Sequence, residues 1–136
     1  MFSTLGQLTD DLVNALLDDV ELVPEWRQAF LHAEFRDAGD QVESLAEAFV
    51  VRAEPAPQRP PLMLLQSPVM TALEALYRAH RDAGMGFAQL ELTVTAPDGR
   101  YSLQFSNEPS LRLAGEQDAA AATRLADRYA ELLLES

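Results

Sequence analysis

Leu5, Leu8, Leu12, Leu16 and Leu17 recur at helical spacing and predict a first helix over Thr4 to Val20. Thr4 stands where a cap belongs, and Gln7 three residues on completes a capping box. Asp10, Asp11, Asp18 and Asp19 fall off the apolar stripe. The last two lie at the C-terminal end, where the helix dipole disfavours anions by a few tenths of a kcal/mol to about 1 kcal/mol. Those carboxylates are either well solvated or kept for another purpose. Val23-Pro24-Glu25 ends the helix, and Trp26 to Phe35 then alternates as a strand with Ala29, Leu31, Ala33 and Phe35 on one face. Asp37-Ala38-Gly39-Asp40 is turn chemistry. Val42 to Val51 returns as a strand with Leu45, Phe49 and Val51 on one face, although Glu43 to Ala48 also has the propensity for a helical turn.

Glu54 to Pro61 holds Pro55, Pro57, Pro60 and Pro61, which cannot continue a sheet ladder and predict an extended crossover loop. Ser67-Pro68 places a cap before a proline at the first helical position, opening a second helix to about Ala83 with Met70, Leu73, Leu76, Tyr77 and His80 on its stripe. Gly84 suits its end. Phe87 to Thr95 alternates strictly, Ala88, Leu90, Leu92 and Val94 against Phe87, Gln89, Glu91, Thr93 and Thr95. Pro97-Asp98-Gly99 turns the chain, and Tyr101, Leu103 and Phe105 alternate with Ser102, Gln104 and Ser106. This is a hairpin with one dry and one wet face. Asn107 to Gly115 is a loop, and Gln117 to Leu134 is a last helix with Ala122, Leu125, Ala126, Tyr129, Leu132 and Leu133 on its stripe. The prediction is an α+β domain spanning residues 1–136, with a mostly antiparallel four-stranded sheet and three helices in the order α-β-β-α-β-β-α.

Composition narrows the function classes. With 136 residues and 48% hydrophobic content, the chain has material for one core without staples. It has no cysteine, so disulfides, thiolate metal sites and a Cys nucleophile are excluded. The opening Met1-Phe2-Ser3-Thr4 lacks a basic and an apolar leader region, and no apolar run approaches a spanning length, so a cytoplasmic location is expected. A net charge of −12 repels nucleic acid and anionic membranes and attracts basic partners, though it also serves solubility.

Candidate chemistry is sparse. Gly84-Met85-Gly86 ends a helix rather than starting one and is no phosphate loop. His32 and His80 do not form the His-Glu-x-x-His spacing of a metal site, and no Gly-x-Ser-x-Gly elbow occurs. His32 and Glu34 share one strand face, as an acid–base pair would, but an ordinary surface pair is the simpler expectation. His80 is expected to pack at the edge of its stripe. The acidic pairs diverge on their helix, and Asp37, Asp40 and Glu43 lack the full calcium-loop pattern. No cofactor or metal is expected. Trp26 is expected in packing rather than in partner contact.

The stretches Leu73-Glu74-Ala75-Leu76-Tyr77-Arg78-Ala79-His80-Arg81 with Gly84, Phe87 to Val94, and Asp98-Gly99-Arg100-Tyr101-Ser102-Leu103-Gln104-Phe105 resemble the YezG-like immunity and antitoxin family. Trp26, Leu31 and Glu34 are similar to that family's early tryptophan and strand. The resemblance covers about two thirds of the chain; the Pro-rich loop and the Ala-rich last helix depart from it. It implies a non-enzymatic bacterial protein that neutralises a cognate toxin, with no catalytic residues to carry over. A nuclease toxin is basic because it holds phosphates, so an acidic inhibitor fits it. Glu34, Gln89, Glu91, Thr93 and Asp98 are the expected contact residues. Two other readings stand beside this one. An acidic chaperone of the type III secretion class, usually a homodimer, would bind an effector segment, and a small enzyme would use His32 and Glu34.

Overall fold

The computed structural model describes residues 4–53, 62–63, 65–96, 98–107 and 126–132. The elements are α1 (Leu5–Val20), β1 (Trp26–Ala38), β2 (Gln41–Arg52), β3 (Leu62–Met63), α2 (Ser67–Asp82), β4 (Gln89–Thr95) and β5 (Arg100–Ser106). Residues 126–132 form part of a third helix, α3. Four long antiparallel strands and three helices therefore follow one another in the predicted order. The two-residue β3 adds a fifth member to a sheet of order β3-β2-β1-β4-β5. The Pro-rich segment 54–61, the loop at 108–115 and the first part of the predicted last helix at 117–125 lie outside the described residues.

α1 starts where the sequence says it should, with the Thr4 hydroxyl accepting the Gln7 amide at 3.0 Å. Leu12, Leu16 and Val20 have no exposed surface. β2 is strand from Gln41 to Arg52, which removes the helical alternative for its first half. β1 runs on to Ala38, so only Gly39 and Asp40 turn the chain. Gly99 has φ +73°, and a Cβ there would meet a Leu17 methyl at 3.3 Å. Glycine therefore serves both the hairpin turn and the close approach of that turn to α1.

β1 lies at the centre of the sheet and is buried from Ala29 to Phe35 without interruption. One face of it, Ala29, Leu31, Ala33 and Phe35, joins Leu90, Leu92 and Val94 of β4 under α1 and α2. Phe35 stacks on Tyr77 with centroids 4.7 Å apart, and Phe87 meets both rings edge-on. The opposite face carries a second cluster of Phe30, Phe49, Val51, Tyr129 and Leu132, so α3 covers the side away from α1 and α2. Each fully buried large side chain contributes about 1.5–3 kcal/mol.

Some sequence expectations fail at element edges. Phe87 precedes β4 and turns into the helix-side core instead of the wet face. Tyr101 and Phe105 are 47% and 42% exposed, because β5 is an edge strand that the helices only partly overlap. Ala126 is exposed while Tyr129 and Leu132 are buried. Trp26 is half-buried against the core, and His80 packs between Phe87 and Phe105, as expected of both.

The start of α2 explains one of the misplaced carboxylates. Gln66, not Ser67, is its N-cap and forms no side-chain capping bond. The Asp19 carboxylate, reaching across from the last turn of α1, accepts the Gln66 amide at 2.9 Å and is only 8% exposed. An anion unfavourable for its own helix thus sits at the positive end of the next. Asp19→Ala is expected to cost about 0.5–2 kcal/mol in urea unfolding, whereas the exposed Asp18→Ala should stay within about 0.5 kcal/mol.

Candidate functional site

Strand register assembles a polar row on the sheet face away from α1 and α2. His32 of β1 lies between Glu47 of β2 and Glu91 of β4. Glu34 lies between Leu45 and Gln89, and Phe30 lies between Phe49 and Thr93. Four of the five expected contact residues, Glu34, Gln89, Glu91 and Thr93, therefore share one patch. Asp98 stands apart in the exposed hairpin turn, 3.4 Å from the Arg100 guanidinium.

The patch is not the wet surface that alternation in the hairpin implied. Glu34 is 0% exposed, Gln89 1% and His32 6%. Thr93 and Glu91 are half-buried. The reason is position: β1 and β4 are inner strands of a sheet that carries helices on both faces. The His32–Glu34 pair is accordingly a buried pair and not a surface one. His32 Nε2 lies 3.2 Å from Glu34 Oε2, and Nδ1 lies 3.6 Å from Glu91 Oε2. Among the described residues Nδ1 is buried and has no hydrogen-bond partner within range. Because the two nitrogens face different carboxylates, the ligands diverge. Among the described residues, no group of three or more His, Asp or Glu could hold a metal ion.

A second polar cluster sits at the far end of β1. Arg81 of α2 donates to Asp37 at 2.7 Å, and its guanidinium lies 6.0 Å from the Tyr77 ring centroid. Burial raises the Tyr77 hydroxyl above its ordinary value, Asp37 raises it further through charge and a hydrogen bond, and Arg81 partly opposes this. The Asp37 hydrogen bond in turn raises the Arg81 guanidinium. The cluster pins β1 to α2.

Surface charge is unevenly spread. Asp10, Asp11, Asp18, Asp19, Glu21 and Glu25 fall in the first 25 residues, which contain no Lys or Arg and so carry half of the net −12. Every cation in the chain is an arginine. Arg36, Arg78, Arg81, Arg100 and Arg128 are paired with Glu43, Glu74, Asp37, Asp98 and Glu131. On α1, Asp10, Asp11 and Asp18 are exposed and form no ion pair among the described residues. The sequence shows these acids but not which carboxylates the arginines pair with, because pairing depends on tertiary neighbours. No helix among the described residues is long and apolar enough to cross a membrane. Compared with protein-family models and with curated proteins, the chain matches none.

Because Glu34 is fully buried, losing its partner should be felt. His32→Leu is expected to cost about 1–3 kcal/mol by removing a hydrogen-bond partner of the buried carboxylate. The double variant His32→Leu/Glu34→Leu should recover part of that loss, since an apolar replacement of both partners can be close to neutral. A double-mutant cycle by denaturant unfolding measures the coupling. Strictly additive losses would show that the two side chains do not act as a pair.

Proposed function

We propose that this protein is an immunity protein, which binds a cationic toxin domain and holds it inactive. The observation that carries the reading is that Asp10, Asp11 and Asp18 on α1 are exposed and form no ion pair among the described residues, where Arg36, Arg78, Arg81, Arg100 and Arg128 are each paired with another carboxylate. Such a surface steers a basic partner into contact and accelerates capture, which protection from a lethal enzyme requires. The resemblance of the second helix and the hairpin to YezG-like immunity proteins supports the same reading. The buried His32–Glu34 pair then serves as a polar core, and of the expected contact residues Glu91, Thr93 and Asp98 are those that retain exposure. In this reading the protein acts by binding and not by catalysis, and it works in the cytoplasm where its toxin would do harm.

A secretion-chaperone reading draws on a different feature. Tyr101 and Phe105 are exposed on the edge strand β5, where an extended segment could add to the sheet.

The test is expression of the product of the gene immediately upstream, alone and together with this chain. Growth arrest that co-expression relieves is the expected result. A harmless neighbour, or toxicity that co-expression leaves unchanged, would overturn the proposal; a neighbour that is secreted only when this chain is present would favour the chaperone. For the purified pair, the association rate should fall by about tenfold or more as salt rises, and a salt-independent rate would refute electrostatic capture.

A further inference from the structure

α1 and α2 leave an open groove of about 480 Å³ on the outside of their layer, remote from the polar row. Leu8, Asp11 and Ala15 line it from α1, and Pro68, Ala72 and Ala75 line it from α2. We propose that this groove is the docking site for a cationic amphipathic helix of the partner, an assignment that rests on the immunity reading and names the surface through which it works.

Three observations lead to this occupant. The floor is built largely from alanine and proline, so another helix axis can approach closely and set larger apolar side chains between the two ridges. The rim is anionic. Asp11 lines the groove, is exposed and has no ion-pair partner among the described residues; Asp18, two turns on at the same helical spacing, is exposed and unpaired too. Among the described residues no lining residue is a cation, and Arg78 of α2 is held by Glu74 at 2.8 Å. An apolar trough with a one-signed rim selects a helix with leucine or alanine on one face and lysine or arginine beside it. A second copy of this chain is a poor occupant by the same argument, because its own α1 carries no cation and each copy is at −12.

The probe is a synthetic amphipathic helix with leucine and alanine on one face and lysine on the other, titrated into isotope-labelled protein. Amide shifts should concentrate in α1 and α2, and a glutamate-for-lysine version of the peptide should not bind. Ala72→Trp, which fills the groove at constant charge, should weaken binding by about tenfold or more. Thr71→Trp, at an exposed lining position, makes the same test without burden on the core. Asp11→Asn should weaken binding severalfold, while Asp40→Asn, the same charge change at the β1–β2 turn, should not. Unchanged affinity in both tryptophan variants would show adsorption by bulk charge and would overturn the assignment. Shifts confined to the sheet face would also overturn it. So would a dimer in sedimentation that Ala72→Trp dissociates, since a second copy would then occupy the groove. The growth-rescue experiment is independent of this one: rescue by wild type and by both tryptophan variants alike would refute the groove and leave the immunity reading in place.

Discussion

The burial of β1 on both faces is the constraint on which the rest of this structure depends. A central strand with seven consecutive buried residues needs cover above and below. On one side Ala29, Leu31, Ala33 and Phe35 present small and large side chains in alternation, which lets α1 and α2 pack against the sheet. On the other side Phe30 nucleates the cluster with Phe49, Tyr129 and Leu132. His32 and Glu34 continue that second face as a polar row. Buried polar groups there need partners, and the 3.2 Å contact between His32 Nε2 and Glu34 supplies one of them.

Much of this was legible in the sequence, and the failures share one cause. Periodicity locates both long helices because each buries a single stripe, alternation and the turn at Gly99 locate the hairpin, and Thr4 marks the start of α1 with its own capping bond. The polar row reads as wet in the sequence because alternation in β4 shows only that its two faces differ, not that both are covered. A signal was present. Phe30 falls between Ala29 and Leu31, and Ala48-Phe49-Val50-Val51 is an unbroken apolar run, as expected of strands covered on both sides. Asp19 was noted as an anion at the wrong end of its helix, but its partner lies 47 residues away at Gln66, and no local pattern could supply that. The sparing of α1 from ion pairing was hidden for the same reason.

The two polar regions divide the work of the molecule. Glu34 and the half-buried Glu91 on the inner strands face His32 within the sheet. Asp10, Asp11 and Asp18 on α1 are exposed and form no ion pair among the described residues, beside a groove with small residues on its floor. Charge that is already paired adds little to capture of a partner, whereas unpaired surface charge shapes the field that an incoming protein meets. This separation places a buried polar row and an anionic helix face on opposite sides of one sheet.

Hydrogen exchange on the free protein, and on the protein bound to the toxin proposed as its partner, tests this division most directly. The account predicts that amides of β1 and β4 exchange slowest in the free protein and change little on binding, while protection rises in α1 and α2 around Asp11, Ala15 and Ala72. Protection that rises at β4 and β5 with none in α1 would contradict it and move the binding face to the hairpin.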